Sequence, residues 1–196
     1  MKEIFPGVHH WKAMRDTIGM EVSSYWVRPA GIVVDPLVPE EGLGAFDGLR
    51  QVVLTTGLHT RHAQRFADEL SIPIRAPREA AARLGDRLTF EAYDDGEVLA
   101  DGVQAVHVGA LCPDEYALHI TVTESAIAVA DAVEHYGDEL AFFPDWLLGD
   151  DPDAVKGGLR AALRGLAGRD VRHLLPAHGD PVLGDGGARL AAFVGG

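Results

Sequence analysis

The chain has 196 residues and a mass of 21.0 kDa, with 47% hydrophobic and 24% charged residues. These values are typical of one globular domain with a substantial core. The net charge of −13 lacks the basic excess that binds phosphate backbones or anionic membrane surfaces. We therefore expect a single domain over residues 1–196 that binds neither nucleic acid nor membrane.

A single cysteine, Cys112, excludes an internal disulfide and a cysteine-rich zinc site. Any metal would therefore have to be held by His, Asp or Glu. The first residues do not form a long apolar segment with a small-residue cleavage site. No run approaches the roughly 18 apolar residues that suggest a membrane span. The expected compartment is the cytoplasm.

The predicted elements begin with two short strands, at residues 20–28 and 32–34, on either side of a turn rich in Pro and Gly. Residues 51–55 predict a buried central strand that runs into a Thr-Thr-Gly turn. Apolar residues at i, i+3, i+4 and i+7 then predict a helix over residues 62–70. The next strand, at residues 72–75, contains Pro73, which favours an edge position in its sheet.

Strands dominate the middle of the chain, where Asp-Gly pairs typical of hairpin turns separate three of them. The remaining predicted elements are a short helix at 78–84, strands at 87–91, 97–99, 103–108, 116–122, 126–130 and 171–175, a helix at 152–166 and a short terminal helix. No linker or repeat divides the chain. This order predicts an α/β protein, with either two sheets between outer helices or one mixed sheet covered on both sides.

Polar residues follow three of the predicted strands. His59 and His62 follow the strand at 51–55, Asp131 follows 126–130, and His178 follows 171–175 in a turn framed by Pro and Gly. Three His and one Asp at strand ends form the ligand set expected for zinc, or for iron or manganese. Each residue alone is more often a surface, cap or turn residue, so the prediction depends on the combination. The other histidines are assigned such ordinary roles, although the strand of His107 could approach the site.

The same blocks resemble the metallo-β-lactamase-like hydrolase superfamily over nearly the whole chain. His59 and His62 after Leu54-Thr55 are similar to its His-x-His-x-Asp-His signature, and Asp131 is similar to its bridging aspartate. Leu-Pro-Ala-His-Gly-Asp, which ends at Asp180, is similar to its late Pro-Gly-His-Gly element and is the most specific match. The opening strands and the Asp35-Pro36 turn also fit. The resemblance implies a four-layer αββα sandwich, with two mixed sheets between outer helices.

The chain departs from the signature at two positions. Gly57 stands where the resemblance expects the first His, and Arg61 stands where it expects the Asp. The next ligand of the family would fall within residues 111–114, which contain no His. The ligands that carry over are His59, His62, Asp131 and His178. The resemblance therefore implies one divalent metal held by these four residues, zinc before iron or manganese, rather than a dinuclear centre.

The function implied by the resemblance is mononuclear, metal-dependent hydrolysis of a small ester, thioester or lactone-type substrate through metal-activated water. Arg61 cannot accept a proton from water at neutral pH, so it cannot replace the missing aspartate as a base. It could instead supply a fixed positive charge beside Asp131 or hold an anionic substrate group, unless it simply faces water. Two alternatives remain: a catalytically silent member of the fold that binds a metal or an anionic ligand in a structural or sensing role, and a plain α/β domain with scattered histidines.

Overall fold

Two β-sheets lie face to face in the computed structural model, which describes residues 1–195. The first sheet contains seven strands in the order of the chain: β1 Lys2–Phe5, β2 Val8–Arg15, β3 Met20–Val27, β4 Ile32–Val34, β5 Gln51–Val53, β6 Ile74–Pro77 and β7 Glu91–Tyr93. The pairs from β1 to β4 are antiparallel, whereas those from β4 to β7 are parallel. The sheet is therefore mixed.

The second sheet is formed by later strands. In chain order these are β8 Val98–Ala100, β9 Val103–His107, β10 Tyr116–Ile120, β11 Ala126–Val129, β12 Glu134–Tyr136, β13 Glu139–Ala141 and β14 His173–Pro176. The order in space is β14-β11-β10-β9-β8, and only the β14/β11 pair is parallel. The strands β12 and β13 form a separate hairpin.

Helices cover the outer face of each sheet. The first sheet carries α1 Ala63–Leu70 and α2 Ala81–Leu84, and the second carries α3 Pro152–Ala167 and α4 Gly186–Gly195. The helix α3 begins after Asp151, whose carboxylate accepts the Ala154 N–H at 3.0 Å, as expected for an N-cap followed by Pro. None of these helices is long and apolar enough to span a bilayer.

The buried side chains form three apolar layers. Alternate residues of β4 point to opposite faces, so that Val34 packs between the sheets whereas Val33 packs under α1. Leu118 joins Val34 in the central layer, and Leu159 of α3 packs on Ile127 in the third. The order helix, sheet, sheet, helix is the four-layer αββα sandwich that the resemblance implies.

Several predicted elements differ from those observed. The strand predicted at 72–75 is β6, which lies inside the sheet between β5 and β7, so the predicted edge position is wrong. Pro73 precedes the strand and removes no ladder donor, and its carbonyl accepts the Val52 N–H at 3.0 Å. The strand predicted at 87–91 is found later, as β7. The strands β1, β2, β12 and β13 are not predicted from the sequence.

Hydrogen bonds from β3 hold the turn after β14 against the first sheet. The Tyr25 hydroxyl donates to the Pro176 carbonyl at 2.7 Å. Ser23 donates its N–H to the Ala177 carbonyl at 2.8 Å and its hydroxyl to the Gly179 carbonyl at 2.7 Å. These bonds lie on both sides of His178 in the chain, so the position of this residue depends on contact between the sheets.

Gly179 generates a stability prediction. Its φ is 92°, and a Cβ at this position would lie 1.8 Å from the His135 carbonyl oxygen. Gly184 has a similar φ of 90° but has nothing within 4 Å of an added Cβ. Both alanine variants carry the left-handed penalty of roughly 1–2 kcal/mol. We expect Gly179→Ala to lower the free energy of unfolding further than Gly184→Ala, measured by urea denaturation; equal losses would contradict this close approach.

Candidate metal centre

Three side chains from the two sheets meet in one cluster, which consists of His59, Asp131 and His178. Asp131 Oδ1 lies 3.1 Å from His59 Nε2 and 3.2 Å from His178 Nε2. Each residue offers one ligand atom, and the three atoms lie within 4.8 Å of one another. Adjacent ligand atoms around a tetrahedral zinc, at bond lengths of about 2.0–2.1 Å, are roughly 3.3 Å apart. The spacing fits a single metal ion.

Strand pairing brings Asp131 and His178 together. The parallel strands β11 and β14 place Val129 beside Pro176, and each ligand follows two residues after its member of this pair. The Ala177 N–H extends the ladder by donating to the Val129 carbonyl at 3.0 Å. Because the carboxyl ends of parallel strands lie at the same edge of a sheet, the two side chains emerge side by side.

His59 reaches the cluster from the first sheet and is oriented by Asp35. Asp35 Oδ2 lies 2.9 Å from His59 Nδ1, while the Thr55 N–H and hydroxyl donate to the same carboxylate at 2.8 and 2.5 Å. Since Nδ1 is engaged by Asp35, Nε2 is directed towards Asp131. Carboxylates of this kind commonly fix the orientation of metal-binding histidines.

The cluster carries a buried charge whose hydrogen bonding is incomplete. Asp131 Oδ1 is buried, and neither nearby imidazole nitrogen makes a well-directed hydrogen bond to it. Burial opposes ionisation of Asp131, but the charge on His59 and the contacts with His178 and His59 outweigh it and lower the pKa. Burial also opposes protonation of His59, yet Asp131 and then Asp35 raise its pKa to about 9. A metal would therefore have to displace a proton from His59.

Backbone strain is concentrated at this site. Within residues 1–195, three residues other than glycine have a positive φ: Asp35 at 45°, Arg61 at 38° and Ser71 at 55°. The first orients His59, and the second stands in the loop between His59 and α1. Strained backbone persists where the surrounding structure holds it, and it is frequent at functional sites. Two of the three strained residues thus border the cluster, whereas Ser71 ends α1.

His62, the fourth predicted ligand, does not join the cluster. It is exposed and immediately precedes α1, and its Nδ1 accepts the Val38 N–H at 3.0 Å. Arg61, which has a positive φ, lies between His59 and His62 in the chain. The two imidazoles have different neighbours, since His59 contacts Asp35 and His62 contacts Val38. The structure therefore brings three of the four predicted ligands together and leaves His62 outside the cluster. His107 is also outside the cluster, and its Nε2 lies 2.9 Å from the Pro113 carbonyl oxygen.

Arg61 points into the protein rather than into water. Its Nη1 donates to the carbonyl oxygens of Ser23 at 2.6 Å and Asp35 at 2.5 Å. Its Nε and Nη2 atoms are buried and have no partner among the described residues. Burial lowers the pKa of Arg61, while the charges of Asp35 and Asp131 raise it. The guanidinium is therefore a buried positive charge on the border of the cluster.

Gly57 stands at the position of the first signature His, and its surroundings leave no room for a larger side chain. Its N–H donates to Asp114 Oδ2 at 2.8 Å, and an added Cβ would lie 2.8 Å from the same oxygen. Arg83 Nε contacts this oxygen at 3.3 Å. The carboxylate and its arginine partner occupy the space that a larger side chain at position 57 would need. A histidine could enter only if this ion pair moved.

Glu115 is buried near the cluster, and it is not among the site residues predicted from the sequence. Its Oε2 accepts the Leu111 N–H at 3.3 Å, and its Oε1 is buried without a partner in the described chain. Burial, followed by the charge of Asp131, raises the pKa of Glu115 to about 8, while His59 opposes the shift. The signal in the sequence was a Glu directly before the apolar strand β10, beside the segment where the resemblance expects another ligand.

A cleft of about 680 Å³ opens over the cluster. Its rim is apolar and includes Trp146, which is 79% exposed, together with Ile18 and Leu58. Phe143 packs edge-on against His178, with ring centroids 5.1 Å apart. Cys112 also lines the cleft, and burial raises its pKa to about 12, so its thiol remains protonated at neutral pH. Apolar walls over a small polar floor suit a small organic ligand.

Comparisons with known proteins support the fold. No family model and no curated protein matches the sequence. Among solved structures, TMB-1 is 14% identical with a TM-score of 0.71, and the DIM-1 metallo-beta-lactamase is 12% identical with a TM-score of 0.73; each match covers 99% of this chain and 95% of the other. A metallo-beta-lactamase family protein from Thermus thermophilus is 16% identical, with 98% and 80% coverage and a TM-score of 0.66. The chain therefore has the metallo-β-lactamase fold.

Glu115 generates a prediction about stability and pH. Its pKa of about 8 in the folded state exceeds the usual 4.5, so the folded state holds a proton that the unfolded chain releases across this interval. The contribution of Glu115 to the free energy of unfolding should therefore fall as the pH rises from 4.5 to 8. Glu115→Gln cannot ionise, so its stability relative to wild type should rise over this range. Urea denaturation at several pH values measures the difference, and a constant difference would contradict the prediction.

Proposed function

We propose that this protein is a mononuclear, metal-dependent hydrolase of small esters, thioesters or lactones. The main observation that supports this proposal is that the cluster offers three protein ligands, His59, Asp131 and His178. Three ligands leave a fourth position on a tetrahedral zinc, which is the pattern of catalytic sites, whereas structural sites are closed by four. The nitrogen and oxygen donors suit zinc and are also compatible with iron or manganese. When bound, the metal supplies Lewis acidity that activates water and polarises a carbonyl.

The chain's own residues would hold and tune this centre. Asp35 orients His59, so that its Nε2 lone pair is available once the proton has left. Arg61 supplies a fixed positive charge near Asp131 and takes no part as a base. Glu115, with its raised pKa, remains largely protonated at neutral pH and adds little negative charge to the cluster.

The cleft supports a small-molecule partner rather than a macromolecule. Its volume of about 680 Å³ and its apolar rim would accept an acyl group of modest size. Apolar walls also exclude bulk water from the reacting bond, which strengthens the electrostatic interactions within the site. The net charge of −13 opposes binding to nucleic acid, so we expect neither nucleic acid nor membrane among the partners.

The second candidate is a catalytically silent member of the fold that binds a metal or an anionic ligand. The observation that favours it is Arg61, a buried cation at the position where the signature has an aspartate. A site without that aspartate lacks the carboxylate that orients the attacking water in relatives with the full signature. The two candidates differ in turnover and agree on ligand binding, so activity measurements separate them.

Metal content tests both candidates. We expect about one zinc, iron or manganese ion per chain in protein purified without a histidine tag, measured by elemental analysis. His178→Ala should lose the ion because it removes one of three ligands, whereas His62→Ala should retain it because His62 lies outside the cluster. No metal after reconstitution would contradict the hydrolase and leave, of the second candidate, only the form that binds an anionic ligand; loss in His62→Ala would contradict the three-residue ligand set.

Turnover tests the proposed activity. We expect the metal-loaded protein to hydrolyse at least one member of a panel of short-chain esters, thioesters and lactones. Removal of the metal with a chelator should abolish the activity, and zinc should restore it. Asp35→Asn weakens the contact that orients His59 and should lower metal affinity or kcat/KM by about 10–100-fold. A metal-loaded protein that turns over no member of the panel would favour the silent alternative.

A further inference from the structure

A second cavity, of about 460 Å³, lies beside the cleft and is lined by four arginines. We name this cavity the arginine pocket; its arginines are Arg15, Arg61, Arg83 and Arg87. No Asp or Glu belongs to its wall, although the chain has 30 acidic residues against 17 basic ones. The wall of the pocket is therefore positively charged, although the protein as a whole is negatively charged.

The positive charges of Arg15 and Arg87 are not neutralised by a carboxylate within residues 1–195. Arg83 pairs with Asp114 at 3.3 Å. Arg15, Arg61 and Arg87 donate only to hydroxyl or carbonyl oxygens, and none forms an ion pair with a carboxylate within residues 1–195. Arg61 contributes positive charge rather than direct contacts, because its Nε and Nη2 atoms are buried and its guanidinium interacts electrostatically with Asp35 and Asp131. Like charges gathered in one cavity repel one another, and an anion would relieve that repulsion.

The arginine pocket adjoins the cleft over the candidate metal centre. Arg15 and Leu58 belong to the walls of both cavities, and Leu58 directly precedes the ligand His59. Arg61 also interacts electrostatically with Asp131. A molecule that reaches across Arg15 and Leu58 would place a charged group in the arginine pocket and an apolar portion in the cleft.

We propose that the arginine pocket binds the phosphate group of the substrate, and that the substrate is a phosphate-bearing ester or thioester. A single carboxylate is satisfied by one bidentate arginine. A phosphate or diphosphate carries more charge and more acceptor oxygens, so it can use several guanidinium groups at once. The phosphate serves as a handle that positions the molecule, and the ester or thioester carbonyl lies over His59, Asp131 and His178. This proposal rests on the proposed function for its reacting bond.

Calorimetric titration with inorganic pyrophosphate tests the pocket. The full chain is titrated in its metal-free and zinc-loaded forms, and succinate serves as the carboxylate comparison. We expect one site per chain for pyrophosphate in the metal-free form and weaker binding of succinate. Arg15→Gln and Arg87→Gln should each raise the Kd about tenfold or more, since each removes charge-assisted hydrogen bonds. Neither side chain belongs to the buried core, and an unchanged Tm would confirm folding.

Arg172→Gln is the matched control. It removes the same charge from an exposed arginine that pairs with Glu124 and lies outside both cavities, so it should leave the Kd unchanged. Three results would overturn the proposal: no pyrophosphate binding to the metal-free chain, equal weakening in Arg172→Gln, or succinate binding as tight as pyrophosphate. Because the metal-free form is titrated, the outcome does not depend on metal binding or turnover. If the chain binds pyrophosphate but takes up no metal, the result contradicts the proposed hydrolase activity and supports the phosphate pocket.

Discussion

The constraint on which the rest of the site depends is the burial of an ionised carboxylate. Asp131 lies between two imidazoles, and Asp35 engages the far side of one of them. A buried charge is costly unless it is paired, and removal of one partner leaves the others uncompensated. The chain Asp35–His59–Asp131 also joins the two sheets, because Asp35 follows β4 and Asp131 follows β11. The fold and the candidate metal centre therefore depend on the same polar contacts.

Local patterns predicted much of the fold and part of the site. The strands β3, β4 and β5 and the helices α1 and α3 carried clear periodicity or turn signals, and three of the four predicted ligands meet. His62 could not be excluded from its spacing alone, because its imidazole is held by the Val38 N–H, which belongs to a segment distant in the sequence. The edge position predicted from Pro73 was wrong because β6 begins at Ile74, just after the proline. Inside the strand, the proline would have removed a ladder hydrogen bond. The pKa of Glu115 is raised by burial and by the charge of Asp131, a residue far away in the sequence. No local sequence pattern predicts that interaction.

The two departures from the family signature belong to one structural change. Gly57 admits the Asp114–Arg83 pair into the space of the missing histidine, and Arg61 replaces the missing aspartate with a buried cation. Both residues also line the arginine pocket. Two groups that the resemblance expects are thus absent from the cluster, and positive charge lies at its border.

The pairing of β11 with β14 has a consequence for how the site can change in evolution. Successive residues of a strand alternate between faces at a rise of about 3.3 Å, so a shift of one residue in either strand turns its ligand away. Insertions in the chain between Asp131 and β14 leave this pairing intact and are therefore compatible with the site. A single insertion inside β11 or β14 would separate Asp131 from His178 even though both residues were retained. Whether two proteins inherited this centre from a common ancestor should therefore be judged from the alignment of their strands as well as from the identity of their ligands.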